Sequence, residues 1–257
     1  MAQYLGGKEN PTRGFKNDIC IYVKIIPPEN HPKHSYLDVD NSPQAAQHLK
    51  THPNLGVIAI AETAKDYLSK LLNRNDIIFI PHQHCNFERW VRPWDREVKT
   101  VGIVGSIGSF QFPIDIFRKE LNKIGLELKY EVNYWRTYKS TPEREMRLKV
   151  CDFYKTIDIQ AVWRPRPKYP KEGPFKNPNK LENAGAFRIP TVSFPEPSFV
   201  REWNRRFIQV NSVRRLIKVC NRLKCDPRYY RWYARKALAR AEDYHIDNVS
   251  KLYLKLK

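Results

Sequence analysis

The chain has no run of 18 or more apolar residues, so a helical membrane span is excluded, and its first residues, MAQYLGGKENPTRGFKND, contain no apolar signal core. Its five cysteines (Cys20, Cys85, Cys151, Cys220 and Cys225) form no C-x-x-C pair, and their odd number fits reduced thiols better than a disulfide framework. A soluble cytoplasmic protein is expected, in the host cell's cytoplasm if the protein is viral, with peripheral membrane contact still open. There is no Walker loop, no full G-x-G-x-x-G pattern, no internal repeat and no low-complexity tract.

What is present begins with charge. The 257 residues carry a net +19 and are 41% hydrophobic, enough for a core in one large or two small domains. The charge is not spread evenly. Residues 1–98 hold 12 Lys and Arg against 11 Asp and Glu, residues 99–200 hold 18 against 11, and residues 201–257 hold 16 against 5. A C-terminal stretch of net +11 points to a polyanionic partner: nucleic acid, an anionic membrane surface or an anionic substrate.

Residues 1–18 are polar and Gly-rich and read as a flexible arm. The β-branched run Ile19–Ile26, then Gly56–Ala61 and Asp76–Pro81, read as strands, with a loop over 27–35 and helices over Pro43–Lys50 and Glu62–Leu72. Trp90–Lys99, charged and interrupted by proline, reads as a linker between two halves. Beyond it come strands at Thr100–Val104, Leu126–Val132, Ile157–Trp163 and Ile189–Phe194. They alternate with helices at Phe112–Ile124, stopped by Gly125, at a segment opened by Thr141 and Pro142, and at Leu181–Phe187, where Asn179 is a candidate N-cap. Ser212 and Asp226-Pro227 cap the last two helices. Strands alternating with helices argue for open parallel sheets.

Four constellations could carry chemistry. Gly105-Ser106-Ile107-Gly108 lies between a strand and a helix, so its amides could face a phosphate. Arg164, Arg166 and Lys168 follow a strand at its carboxyl end, where open α/β sheets bind ligands, and their charge would stabilise a departing diphosphate. Lys180 opens a helix whose Ala184, Gly185 and Ala186 permit close backbone approach, and Glu196 follows the next strand. His82 and His84 flank Gln83, and with Asp38 and Asp40 they are candidates for a general base or, less favoured, for a metal site. In the basic tail Arg228, Arg231, Trp232 and Arg235 interleave cations with an aromatic ring, a pattern suited to a phosphate backbone.

Three stretches resemble the group-1 family of nucleotide-sugar glycosyltransferases of the GT-B fold. The run DIIFIPHQHCNFERW is similar to the motif I-P-N-G-V-D-x-x-R-F: Pro81 matches its proline, Asn86 stands at its aspartate, and Arg89-Trp90 at its Arg-Phe. NKLENAGAFRIPTVS is similar to the donor-site helix N-K-L-x-E-A-M-A-x-G-x-P-V-V through Asn179, Lys180, Leu181, Ala184, Ala186 and Pro190. The closing helices resemble the family's C-terminal pair. The E-x7-E pair of retaining members is absent, because Asn183 stands at its second glutamate, with Glu182 one place earlier, and Phe175 at its first.

The resemblance implies an α/β chain of two Rossmann-like parallel-sheet domains facing a cleft, with C-terminal helices crossing back. The expected divisions are an arm over 1–18, a reduced acceptor domain over 19–95, a donor domain over 96–235 and a returning helix over 236–257. It also implies transfer from a nucleotide-diphosphate sugar, expected to be a UDP-sugar, with no metal and no other cofactor. Gly105, Ser106, Arg164, Arg166, Lys180, Glu182, Asn183 and Glu196 would serve the donor, and His82, His84 or Asp38 the deprotonation. Together with the basic tail, a hydroxymethylated base in phage-type DNA is the preferred acceptor, and a lipid-linked or polysaccharide acceptor at a membrane is its rival. A nucleic-acid-binding module on an inactive scaffold is the non-enzymatic alternative.

Overall fold

The computed structural model describes residues 1–9, 18–40, 42–105, 110–132, 143–166 and 170–256. Two units divide the chain, one comprising Met1–Gln83, Tyr169–Pro178 and Ile246–Lys257, the other His84–Lys168 and Asn179–His245. No described helix is long and apolar enough to cross a membrane.

The first unit holds a parallel sheet of β1 (Cys20–Val23), β2 (Ser35–Asp38), β3 (Gly56–Ala59) and β4 (Ile78–Phe79) in the order β1-β2-β3-β4. Helices α1 (Pro43–His48) and α2 (Glu62–Leu72) connect the strands. α1 starts where expected because the Ser42 side chain accepts from the Ala45 amide and Pro43 needs no partner in the first turn. Ala64 and Leu68 of α2 pack on Leu37, Val57 and Ala59, and Phe175, returning from the distant 170–178 segment, joins the same cluster.

Several expectations for this unit are corrected. β2 lies in a stretch where no strand is expected, because Ser35 and Asp38 interrupt its apolar pattern, yet all four of its residues are buried between two partner strands. Met1–Glu9 is not a loose arm: Gln3–Leu5 forms one 3-10 turn, Tyr4 donates to Asp247, and Met1 packs beside Tyr36, Ile58 and Leu256.

The second unit holds a five-stranded parallel sheet of β5 (Thr100–Gly105), β6 (Glu127–Val132), β7 (Ile159–Val162), β8 (Thr191–Ser193) and β9 (Ile208–Gln209) in the order β6-β5-β7-β8-β9. Its helices are α3 (Ile114–Lys123), α4 (Glu143–Thr156), α5 (Asn179–Ala186), α6 (Pro197–Trp203), α7 (Val213–Cys225) and α8 (Pro227–Ala241). α5 and α8 lie close because Gly185 has no side chain; a Cβ there would meet the Ala237 carbonyl oxygen at 2.8 Å. Ser212 and Asp226 cap α7 and α8 by accepting from the Arg215 and Tyr229 amides. α6 lies where no helix is expected, though Pro197 at its first position is a helix-start signal. A final helix, α9 (Ile246–Tyr253), belongs to the first unit, where Val249 packs with Ile58 and Ile80.

Residues 84–99 are not a linker but part of the second unit, so the boundary falls after Gln83 rather than near residue 95, and the return to the first unit begins at Ile246 rather than at 236. The reason is electrostatic. Arg92 and Asp158 are 2% and 1% exposed and pair at 2.9 Å. The Asp158 carboxylate also accepts from the Lys99 and Thr100 amides at 2.9 Å and from Thr100 Oγ1 at 2.8 Å. Arg92 further donates to the Pro93 and Glu97 carbonyls and Arg96 to those of Lys155 and Thr156, so the charged segment is wound onto the core. Removing one partner of such a pair strands a buried charge. Asp158→Ala is therefore expected to lower unfolding stability by roughly 3–5 kcal/mol, read from the urea midpoint; a loss within that of an ordinary surface substitution would contradict this role.

Candidate functional site

In a parallel sheet the carboxyl ends of all strands emerge on one edge, and in open α/β folds that edge binds ligands. On the second sheet this edge carries four elements that sequence reasoning singled out. β5 ends at Gly105, whose φ of +140° suits glycine. The Val104 carbonyl just before it accepts from Lys180 Nζ at 2.5 Å, so the first turn of α5 and the end of β5 meet. α5 begins at Asn179 itself, so Asn179 sits inside the first turn rather than before it, and its Oδ1 is buried without a hydrogen bond.

After β7, Arg164 grips Glu196 with a guanidinium fork. Nε donates to Oε1 at 2.9 Å, and Nη2 to Oε1 at 2.7 Å and Oε2 at 2.6 Å. Charge-assisted forks of this kind fix orientation as well as energy. Glu196 stands just ahead of α6 and is 9% exposed, and its oxygens keep further acceptor sites. Arg166 is exposed, while its backbone is held by Gln111: the Arg166 amide donates to Gln111 Oε1 at 3.0 Å and Gln111 Nε2 donates to the Arg166 carbonyl at 2.6 Å. Gln111 itself was not foreseen, since its role depends on a contact 55 residues away. Ser106 and Lys168 lie outside the described residues.

The other two donor candidates are placed differently. Asn183 Oδ1 accepts from the Cys85 amide at 2.7 Å, which ties the 84–91 segment to α5. Glu182 is wholly buried, with neither oxygen hydrogen-bonded, and burial followed by Glu202 pushes its carboxyl well above the usual range. It is withdrawn from the edge that Lys180 occupies.

His84 is likewise distant from that edge. It is 3% exposed, its Nδ1 accepts from the Asn86 amide at 3.2 Å, and its ring meets His245 edge-on at 5.2 Å. Burial, then His245, lowers its pKa to about 4, so the ring is neutral near pH 7. With Asn86, Arg89, Ala186, Leu238 and Glu242 it lines a cavity of about 290 Å³, near the opposite end of α5 from Lys180.

His82 falls in the first unit and Asp38 with it. Both stand at the carboxyl edge of the first sheet, Asp38 closing β2 and His82 following β4. Asp40 completes the group: His82 Nε2 lies 4.0 Å from Asp40 Oδ1, and Lys24, just after β1, pairs with Asp40 at 2.5 Å. His82 Nδ1 lies 3.1 Å from Asn177 Nδ2. Lys24 and Asp40 both have left-handed backbones, φ 58° and 44°, an uncommon conformation outside glycine that concentrates at functional sites. Burial lowers the His82 pKa and raises that of Asp38 to about 7, the Asp40 amide opposing the latter shift at 2.9 Å. Among the described residues no group of three or more His, Cys, Asp or Glu side chains could hold a metal ion.

On α8, Arg228, Arg231, Trp232 and Arg235 are all exposed, at the i, i+3, i+4 and i+7 spacing of one helix face. Lys236 Nζ sits 3.7 Å from the centre of the Trp232 ring.

No family model and no curated protein sequence matches the chain. Solved structures do match in fold. S. aureus TarM crystallised as a mutant with fondaparinux, alpha-GlcNAc-glycerol and UDP is 14% identical, with a TM-score of 0.55 over 88% of this chain and 51% of that one. Anabaena HepE in complex with UDP and glucose is 13% identical, TM-score 0.56, covering 86% of this chain and 70% of that one. Sucrose-phosphate synthase from Thermosynechococcus elongatus is 10% identical, TM-score 0.53, over 88% and 69%. The likeness shows the GT-B fold, two α/β units each built on a parallel sheet. The chain spans about half the length of TarM and of the GtfA/B complex chain that it matches.

The Asp38 shift has a consequence for stability. Its folded pKa is raised from 3.8 to about 7, so the stabilisation is complete below pH 4 and is lost as the pH rises through 7. The difference amounts to about 4 kcal/mol above that range. Asp38→Asn keeps the Oδ1 acceptor and removes the ionisation. The variant should unfold at a higher temperature than the parent at pH 8 and not at pH 4; parallel pH profiles for the two would contradict the assignment.

Proposed function

We propose that this chain transfers a sugar from a nucleotide-diphosphate donor, a UDP-sugar, to an acceptor hydroxyl. The observation that carries the reading is the convergence of Gly105, Lys180 and the Arg164–Glu196 pair on one carboxyl edge of the second sheet. That the fold is shared with HepE, whose structure holds UDP and glucose, supports it.

Each residue has a physical task. Lys180 and Arg166 offset the diphosphate charge, which grows on the leaving oxygen as the bond to the anomeric carbon breaks. Glu196, oriented by Arg164, accepts hydrogen bonds from sugar hydroxyls. The acceptor oxygen attacks the anomeric carbon, the nucleoside diphosphate departs, and the acceptor proton passes to a general base. His82, kept neutral by burial and facing Asp40, and Asp38 with its pKa near 7 are the assigned bases.

The acceptor is proposed to be a hydroxymethylated base in DNA. Support comes from the exposed α8 face, whose three arginines and Trp232 combine phosphate neutralisation with a stacking surface. Lys180→Ala should reduce sugar transfer and donor hydrolysis by about 10²- to 10³-fold in kcat/KM, and unchanged kinetics would remove Lys180 from the site. For the acceptor, the protein should be retained on duplex DNA at low salt. Replacing Arg228, Arg231 and Arg235 by Ala should flatten the slope of log K against log salt by roughly 3. Retention on anionic vesicles with none on DNA would replace this acceptor with a membrane-borne one.

A further inference from the structure

One cluster of nucleophilic side chains takes no part in the chemistry above. Cys151, on α4, is 2% exposed, and Cys85, in the segment that opens the second unit, is half-buried. The two side chains are close enough for each thiol to shift the titration of the other. The Cys151 thiol also donates to the carbonyl oxygen of Cys85 at 3.1 Å, so the sulfur is seated against the backbone of its partner residue.

Arg147, one helical turn before Cys151, frames the pair. Its Nη1 donates to the Cys85 carbonyl at 2.7 Å and comes within 3.8 Å of Cys151 Sγ. Glu88 holds the guanidinium by bonds of 2.6 and 2.9 Å, and the ring of Phe87 lies beneath it at 4.3 Å. The two thiols are made unequal by this setting. The hydrogen bond from Cys85, then the Arg147 charge, lowers the Cys151 pKa against the effect of burial, while burial first and Cys151 second raise that of Cys85. Of the two thiols, Cys151 is the one that loses its proton more readily. The remaining cysteines lack this arrangement: Cys220 is fully buried in an apolar cluster, Cys225 is exposed, and Cys20 belongs to the first unit.

We propose that Cys85 and Cys151 form a redox modification site that hydrogen peroxide converts to a disulfide, joining the 84–91 segment to α4. The Cys151 thiolate attacks one peroxide oxygen, so that an S–O bond forms as the O–O bond breaks and the released hydroxide leaves as water after taking a proton. Cys85, giving up its proton, then attacks the sulfenic sulfur. The S–S bond forms as the S–O bond breaks, and a second water departs. Two thiols are oxidised by two electrons in all, and the peroxide is reduced by two. Because the Cys85 amide is already bound to Asn183 on α5, the new bond links α4 to α5 through one residue.

The test uses the full chain, treated with hydrogen peroxide and weighed intact, then alkylated with iodoacetamide in denaturant, digested and weighed again. The intact mass should fall by about 2 Da, three of the five thiols should alkylate, and a peptide linking Cys85 to Cys151 should appear and vanish on reduction with dithiothreitol. In Cys85→Ser the sulfenic acid should persist on Cys151 and be trapped by dimedone, while Cys225→Ser should behave as the parent. Five alkylated thiols after peroxide treatment overturn the proposal, as does a disulfide in which Cys20, Cys220 or Cys225 replaces either member. The parent protein alone decides these outcomes if the serine variant does not fold.

Discussion

The carboxylate of Asp158 determines how the second unit is built. It sits immediately before β7 and accepts hydrogen bonds from Thr100, the first residue of β5, so the amino ends of the two central strands are pinned at one buried point. Pairing then runs in fixed register from Val101 opposite Ile159 and Gly102 opposite Gln160. Both strands must therefore emerge on the far edge near each other, where Gly105 and Arg164 are found. The same residue reaches the last helix of the unit, because the Asp158 carbonyl accepts from the Tyr230 hydroxyl at 2.8 Å. An ion pair so deeply buried gains little net energy over an apolar equivalent, but losing either member strands the other charge in the core.

What could be read from the sequence was what local chemistry decides. The caps at Ser42, Ser212 and Asp226 are short-range hydrogen bonds, and the apolar strand runs reflect burial on both faces of a parallel sheet. Features decided by distant residues could not be read. The segment 90–99 has the composition of a linker, and what draws it into the core is distant in sequence: Asp158, 66 residues from Arg92, and the Lys155 and Thr156 carbonyls that Arg96 reaches. β2 is hidden for a related reason: its two polar residues are acceptable inside because Ser35 Oγ donates to the Pro32 carbonyl at 2.6 Å and Asp38 accepts from the Asp40 amide. At the site, Lys180, Arg164 and Glu196 were recognisable by type and by their position after strands. Their pairing into a fork, the support from Gln111 and the placing of Asp40 opposite His82 needed three-dimensional proximity.

Charge is divided between the units in a way that matches the proposed division of labour. The first unit concentrates acids and histidine at its strand ends, where a proton could be taken up, whereas the second carries arginines and lysines at its strand ends and along α8. Burial moves Asp38 up to about 7, close to the pH at which a general base is useful, and moves His82 down, which keeps its ring neutral. Glu182 shows the contrasting case of a carboxyl whose pKa burial raises inside the unit, where it has no access to a ligand.

The central claim is that the carboxyl edge of the second sheet holds a nucleotide diphosphate. Amide hydrogen exchange with and without UDP tests it most directly, since ligand contact and ordering slow exchange locally. The account predicts protection confined to the ends of β5 and β7, the first turn of α5 and the Phe194–Ser198 turn. Protection centred on the His84 cavity, or no change at saturating UDP, would contradict it.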